Sequence, residues 1–137
     1  MEEGKLRGIE YLDQKLRNYC RDAPGLDRVL RQIETYLKDP TRGFDLELRL
    51  HGSPFQQRVW QALCTIPSGK TLTYGELAMH LESGARAVGG ACRANPCPLV
   101  IPCHRVVARR GLGGFAGETS GRKLAIKRWL LRHEGWL

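Results

Sequence analysis

The chain has 137 residues, of which 42% are hydrophobic, and its formal net charge is +8 at pH 7. This size and content predict one compact domain with a small appendage, and they leave no room for a second large domain. No apolar run is long enough to cross a membrane, and the polar amino terminus is unlike a signal peptide, so we expect a cytoplasmic protein with no membrane partner. The positive charge favours a polyanionic partner, most simply nucleic acid.

The cysteines argue against both a disulfide framework and a metal centre. There are five of them, at positions 20, 64, 92, 97 and 103. An odd number at irregular spacing suits a reducing compartment. A zinc site built from Cys92, Cys97, Cys103 and His104 is conceivable, but the gaps lack the usual short chelating spacing. We therefore expect no bound metal, and the sequence points to no other cofactor.

The first 51 residues predict two helices and one strand. Apolar residues at near-helical spacing predict a helix that ends at Pro24-Gly25; they are Leu6, Ile9, Leu12, Leu16 and Tyr19. A second helix is predicted over residues 26–37, ending at Asp39-Pro40. Its apolar face consists of Leu26, Val29, Leu30, Ile33 and Leu37. Phe44, Leu46, Leu48 and Leu50 then alternate with charged residues, which is the period of a half-buried strand.

Two capping boxes mark the next helices. Ser53 with Gln56 predicts a helix start with Pro54 at the first helical position, and this helix should run to about Cys64 with Trp60 as a core anchor. Thr73 with Glu76 opens a short helix through residue 81. A tight turn then leads into a helix over residues 85–94. Two short helices joined in this way predict a helix-turn-helix, which on its own is typical of a transcription regulator.

A cysteine in a short β-branched run is the strongest candidate for chemistry. In Ile101-Pro102-Cys103-His104-Arg105-Val106-Val107, the proline should stop or kink a buried strand and deliver Cys103 to a pocket. A free thiol needs a base or a positive neighbour to react, and His104 and Arg105 are the local candidates. Strand geometry would send His104 to the opposite face, so we expect it to reach the sulfur through a turn or a bridging water. The alternative is an inert buried cysteine.

This segment and three further stretches resemble the O6-alkylguanine-DNA alkyltransferases, also called methylated-DNA--protein-cysteine methyltransferases. The stretches are Ser53-Pro54-Phe55-Gln56-Gln57-Arg58-Val59-Trp60, Thr73-Tyr74-Gly75-Glu76-Leu77-Ala78, and Arg86-Ala87-Val88-Gly89-Gly90-Ala91 running to Asn95-Pro96. They occur in the family's order, and the resemblance as a whole covers about residues 25–136. The resemblance implies DNA repair by direct reversal: the alkyl group on O6 of guanine moves irreversibly to Cys103, and the protein works once.

The resemblance also implies how DNA is held. The recognition helix enters the minor groove of double-stranded DNA containing O6-alkylguanine, and Arg86 takes the place of the flipped base. Ala87, Gly90, Arg93 and Tyr74 are the other implied DNA-binding residues. A basic run predicts phosphate contacts or, alternatively, a solvated helix face. It comprises Arg105, Arg109, Arg110, Arg122, Lys123, Lys127, Arg128 and Arg132.

Catalytic roles follow by the same resemblance. Glu134 orients His104, His104 takes the proton of Cys103, and Tyr74 assists the departing O6. Asn95 braces the connection between the recognition helix and the active cysteine. The substrate pocket is assigned to Pro102, Val106, Phe115, Ala116 and Gly117, with the last three in a glycine-rich loop before a final helix over residues 120–132. That final helix has apolar residues at Leu124, Ile126, Trp129 and Leu130.

We therefore predict an α+β, mostly helical, monomeric protein. A reduced amino-terminal region, residues 1–51, precedes a winged-helix-like DNA-binding and alkyl-acceptor domain, residues 52–137. Phe115 in place of the family's usual tyrosine, and an insertion around residues 118–121, alter the pocket walls. The alternative function is that of the alkyltransferase-like proteins, which bind O6-alkylguanine without repairing it and recruit other repair factors. Those carry tryptophan at the position of Cys103, which argues against that role here.

Overall fold

Helices dominate the fold, which a computed structural model describes for residues 1–11, 24–113 and 121–137. In chain order these ranges contain α1 (Leu26–Lys38), α2 (Pro54–Leu63), β1 (Leu72–Thr73), α3 (Tyr74–His80), α4 (Ala85–Arg93), a 3-10 helix (Cys103–Arg105), β2 (Val106–Val107) and α5 (Arg122–His133). The predicted α+β, mostly helical class is thus confirmed. None of the helices described has the length and apolar character of a membrane span.

The two capping boxes form as predicted and set the starts of α2 and α3. Ser53 Oγ accepts from the backbone N–H of Gln56, whose side chain accepts from the backbone N–H of Ser53. Thr73 and Glu76 repeat the arrangement at α3. Both boxes join residues three positions apart, so local sequence suffices to place these helix starts.

The helix-turn-helix, α3 and α4, is fixed on α2 by Trp60. This side chain is almost fully buried, and its Nε1 donates to the carbonyl oxygen of Ala91, 2.9 Å away. Gly52 gives the ring its space, since a Cβ at that position would lie 2.4 Å from a Trp60 ring carbon. Val88 and Ala91 turn inward into the same core. Trp60 is therefore the core anchor that the sequence predicts.

A short parallel pairing joins the segment after Cys103 to the strand that leads into α3. Leu72 pairs with Val106 and Thr73 with Val107. The prediction of a strand leading up to Cys103 was wrong, because the strand follows the cysteine instead. The backbone N–H of Arg105 donates to the carbonyl of Pro102 at 3.0 Å and that of Val106 to the carbonyl of Cys103, so the chain forms a 3-10 turn just after the proline.

The helix predicted from Leu6 onward is absent in the part of its range that the structure describes. Leu6 is extended and pairs in parallel with Leu48, its backbone bonded to Glu47 and Arg49. The backbone N–H of Ile9 donates to the carbonyl of Pro96. Pairing with distant segments overrides a helix-like spacing here. Leu12, Leu16 and Tyr19 lie outside the described residues.

Residues 44–50 bury alternate side chains as predicted, but they do not form a regular strand. Phe44, Leu46 and Leu48 are half-buried while Asp45 and Glu47 are exposed. The one bridge recorded in this stretch joins Leu48 to Leu6. A single bridge gives an extended edge rather than a sheet.

The buried face of α1 differs from the predicted one. Val29 and Tyr36 are buried, whereas Leu30 and Leu37 are exposed. Positions 29, 33 and 36 form the inward stripe, with Ile33 packed against the core. A tyrosine therefore occupies the place that the apolar pattern assigned to leucine.

The last helix buries Leu130 and packs Ile126 against the core as predicted, but the rest of its buried face differs. Lys127, Leu130 and Leu131 are buried, while Trp129 is 51% exposed and stacks on the ring of His133 with ring centroids 4.8 Å apart. Ser120, its predicted first residue, lies outside the described residues. The burial of a lysine in this helix bears directly on the site.

Candidate active site

Cys103 is held in a buried turn. It is 7% exposed and is the first residue of the 3-10 helix, between the buried side chains of Pro102 and His104. Burial raises the pKa of its thiol, while hydrogen bonding by Asn95 and the positive charge of Lys127 act in the opposite direction. The thiol is thus protonated at rest and needs a base to react.

His104 has the arrangement of a buried base. It is fully buried, and its Nε2 lies 2.7 Å from Oε2 of Glu134. Its Nδ1 has no hydrogen-bond partner among the described residues. Burial lowers the pKa of His104, although Glu134 opposes that effect. A neutral ring that donates from Nε2 to the carboxylate keeps the lone pair of Nδ1 available for a proton.

Glu134 accepts hydrogen bonds from three other side chains of the site. At the carboxyl end of α5, its carboxylate accepts hydrogen bonds from His104, from Arg105 (2.9 and 3.0 Å) and from the hydroxyl of Tyr36 at 2.6 Å. Burial alone would raise the pKa of Glu134, but the bonds from His104, Arg105 and Tyr36 outweigh it and hold the pKa well below the usual range. Glu134 is therefore ionised at any working pH.

Asn95 connects α4 to the turn that carries Cys103. Its Nδ2 donates to the carbonyl of Ile101 at 2.8 Å, and its Oδ1 accepts from the backbone N–H of Cys97 at 2.9 Å. Both bonds lie within the connection that the sequence expected Asn95 to brace. These two bonds connect the end of α4 to the segment that precedes the cysteine turn.

Tyr74, the first residue of α3, lies close to the cysteine. Burial raises its pKa to about 12, and a negative charge on Cys92 or Cys103 would raise it further. Gly113, which has a positive φ of 72°, packs against the ring, because a Cβ there would lie 3.1 Å from a Tyr74 ring carbon. The Nζ of Lys127 lies 5.9 Å from the ring centroid. The structure thus brings Tyr74, Lys127 and Cys103 into one neighbourhood.

The outward face of α4 contains all four of its predicted DNA-binding residues. Arg86, Ala87, Gly90 and Arg93 are exposed, whereas Val88 and its neighbours Ala91 and Cys92 are buried. Small residues therefore occupy the middle of this surface, with an arginine towards each end. The charge of Arg93 also acts on the pKa of Tyr74, so this face adjoins the site.

The remaining predicted pocket residues divide into two groups. Pro102 and Val106 are buried on either side of the 3-10 helix. Phe115, Ala116 and Gly117 lie outside the described residues. Within residues 1–11, 24–113 and 121–137, no three His, Cys, Asp or Glu side chains are arranged to hold a metal ion.

Comparison with known proteins agrees with this geometry. The family model of the DNA-binding domain of 6-O-methylguanine DNA methyltransferase matches residues 54–136. The chain belongs to this family. The methylated-DNA--protein-cysteine methyltransferase of Salmonella typhimurium is 52% identical to it, over 99% of this chain and 86% of the relative.

Solved structures of similar proteins have the same fold. Mycobacterium tuberculosis OGT in complex with DNA is 36% identical and matches with a TM-score of 0.81, covering 98% of this chain and 84% of that one. Schizosaccharomyces pombe Atl1 in complex with damaged DNA containing O6-carboxymethylguanine is 31% identical, with a TM-score of 0.52 and coverage of 62% and 79%. The similarity to OGT extends over the amino-terminal residues, whereas that to Atl1 covers less of this chain.

Two residues near Cys103 and Glu134 were not predicted from the sequence to belong to this site. Lys127 was assigned to a basic run, yet it is fully buried and its Nζ donates to the carbonyl of Val106 at 2.7 Å. Burial lowers its pKa to about 8. The signal was its position, three and four residues before Leu130 and Leu131 on the inward face. Tyr36 was not predicted to be buried, because the leucines of α1 indicated an apolar face that did not include it.

Proposed function

We propose that this protein repairs DNA by transferring the alkyl group from O6 of guanine to Cys103 in one irreversible step. The observation that carries the proposal is a buried cysteine beside a histidine whose Nε2 is held by a buried carboxylate, in a chain of the methyltransferase family. It acts as a monomer on double-stranded DNA in the cytoplasm, without a cofactor. Its acceptor is its own side chain, so each molecule works once.

Proton transfer starts the reaction. Glu134 keeps the proton on Nε2 of His104, and Nδ1 receives the thiol proton of Cys103 through one water molecule. The charge of Lys127 stabilises the thiolate that forms, since it acts to lower the pKa of the Cys103 thiol. Positive groups and hydrogen-bond donors that face a developing negative charge stabilise it more strongly in a buried site than in water.

Alkyl transfer then follows by displacement. The thiolate sulfur attacks the alkyl carbon, the bond from that carbon to O6 breaks, and its electron pair stays on O6. Tyr74 donates a hydrogen bond or its proton to that oxygen. The restored guanine gains one proton in total, from Tyr74 or from water, and the proton held on His104 replaces the one given up, so the net transfer runs from the thiol to guanine. The thioether formed on Cys103 offers no leaving group for exchange, which makes the step irreversible.

The outward face of α4 binds the DNA so that the alkylated base can leave the duplex and reach Cys103. We propose that it enters the minor groove, with Ala87 and Gly90 close to the DNA backbone, Arg86 in the space of the flipped nucleotide and Arg93 near a phosphate. The structure of the OGT relative with DNA supports this partner. Asn95 ties the helix to the cysteine turn. Pro102, Val106 and the loop residues Phe115, Ala116 and Gly117 form the pocket walls.

Lesion recognition without transfer is the competing function, and the similarity to Atl1 is the reason to name it. A cysteine, with a base and a carboxylate behind it, is not required to bind a lesion. Cys103 and the His104–Glu134 pair therefore favour transfer.

The test is intact-protein mass after incubation with a duplex containing one O6-methylguanine. We expect a gain of one CH2 group, located on Cys103 by peptide mapping. Cys103→Ala should show no gain, while Cys92→Ala, which removes another buried thiol, should retain it. Tight lesion binding with no mass gain in the unmodified protein would replace this proposal with lesion recognition.

A further inference from the structure

Tyr36 links the amino-terminal part of the chain to the site. It lies in α1, 98 residues before Glu134, and its hydroxyl donates to Oε2 of that carboxylate over 2.6 Å. Tyr36 is 1% exposed. It also lies outside residues 54–136, the range that the family model matches. The predicted division of the chain at residue 51 is therefore crossed by a buried hydrogen bond to the site.

We propose that Tyr36 is a positioning residue for alkyl transfer: its hydroxyl holds Oε2 of Glu134 against His104, so α1 is a working part of the active site. This inference rests on the function proposed above. It gives the amino-terminal region a role in the chemistry of the site in addition to its role in the core.

The distribution of donors around the carboxylate supports this role. Oε1 of Glu134 accepts from Nε of Arg105, and Oε2 accepts from His104, Tyr36 and the second nitrogen of Arg105. Arg105 is itself fixed by a 2.6 Å bond to the carbonyl of Ile66. Tyr36 therefore donates to the same oxygen that holds the base. A donor there fixes that oxygen and takes up part of its negative charge, which weakens its pull on the His104 proton.

Packing holds the Tyr36 ring independently of its hydroxyl. The ring lies 5.6 Å from that of Phe44 and meets that of His133 edge-on at 5.4 Å, measured between centroids. Leu99 and Leu130 complete this small cluster. Phenylalanine would fill the same space, so packing alone does not call for the hydroxyl. Removing the oxygen isolates the role in positioning.

The other charged and titratable groups around Glu134 and His104 remain when the hydroxyl is removed. They are Arg105 and Cys103 on the 3-10 helix, Lys127 and His133 on α5, and Tyr11 on the amino-terminal segment. Burial raises the pKa of Tyr36 well above its ordinary value, as does its bond to Glu134. The phenol therefore stays a donor throughout the pH range in which the protein works.

The experiment measures the single-turnover rate constant of alkyl transfer against pH for the full chain and for Tyr36→Phe. Without the Tyr36 donor, Glu134 stabilises the imidazolium of His104 more strongly, so a higher pH is needed to free the base. We expect the midpoint of the rising limb to move up by about half a pH unit. The plateau rate should fall by about 3- to 10-fold, because Glu134 is less well fixed.

Phe44→Leu is the matched control. It loosens the packing around the Tyr36 ring but leaves the hydroxyl, so it should lower thermal stability without moving the pH midpoint. An unchanged midpoint and plateau in Tyr36→Phe, or the same shift in Phe44→Leu, overturns the inference. Failure of the unmodified chain to transfer the methyl group would instead overturn the proposed function, so the two failures are distinguishable.

A second variant keeps the test decisive if Tyr36→Phe does not fold. Difluorotyrosine placed at position 36 keeps the ring and hydroxyl but makes the phenol a stronger donor. The pH midpoint should then move down, opposite to the shift in Tyr36→Phe. A midpoint that stays in place or moves up contradicts the role assigned to the hydroxyl.

Discussion

The two basic helices α4 and α5 use positive charge in opposite ways. The arginines of α4, Arg86 and Arg93, are exposed on its outward face. In α5, Lys127 is fully buried near Cys103, while Arg128 and Arg132 are exposed to solvent. The chain thus separates charge that can meet DNA from charge that can act on the thiol.

The two kinds of charge differ in their hydration. An exposed arginine keeps its hydration until DNA displaces it, and its effect is screened by salt. Lys127 is desolvated in the folded state, which lowers its pKa to about 8 and strengthens its action on Cys103. Burying the charge of Lys127 thus lowers the stability of the fold, and we expect it to raise the rate of alkyl transfer.

The largest expected effect comes from removing the buried charge. Lys127→Met should slow methyl transfer in single-turnover kinetics by about 100-fold, because a desolvated donor beside the reacting group is lost. Arg128→Met changes the adjacent, exposed charge and should retain nearly the full rate. Equal losses in the two variants would show that the total charge of α5 matters rather than the burial of Lys127.

The stability cost of that buried charge should depend on pH. Lys127 has a pKa of about 8 in the folded state against 10.5 for an ordinary lysine, so the unfolded chain binds more protons between these values. Below pH 8 the buried charge of Lys127 therefore lowers the free energy of unfolding, and this loss is regained as the pH rises from 8 to 10.5. Relative to Lys127→Met, the unmodified protein should gain about 2 kcal/mol over this interval, measured by urea unfolding. A constant difference between the two proteins would mean that Lys127 titrates normally.

The smallest expected effect concerns DNA binding by the exposed face of α4 compared with that of α5. Arg86→Ala should reduce transfer from a duplex by about tenfold, because the space left by the flipped base is no longer filled, and should spare a single-stranded oligonucleotide with the same lesion. Arg132→Ala tests the exposed face of α5 and should leave both rates nearly unchanged. A comparable loss in Arg132→Ala would extend the DNA surface onto α5.

Local signals predicted the helix-turn-helix well. Each capping box satisfies backbone donors within three residues, so the starts of α2 and α3 could be located from sequence. The pattern of α4 also separates an inward from an outward side. The strand predicted to lead up to Cys103 was wrong, because residues 103–105 form a 3-10 turn after the proline and the strand begins only at Val106.

Long-range pairing explains the errors in the amino-terminal part. Leu6 has helix-like spacing to Ile9, but its backbone bonds are made to residues more than 40 positions away. Leu30 and Leu37 look like core residues, but in the folded helix the predicted Val29 is buried together with Tyr36 and the two leucines are exposed. Periodicity gives the existence of an amphipathic helix, whereas its rotation depends on what it packs against.

The sequence by itself determined the helix-turn-helix and the family, and it predicted Cys103 as the acceptor. These depend on residues close together in the chain. Only the tertiary structure decided that Lys127 is buried and that Tyr36 reaches Glu134 from 98 residues away. A lysine or a tyrosine on an amphipathic helix can face either water or the core, and packing against distant segments selects the side.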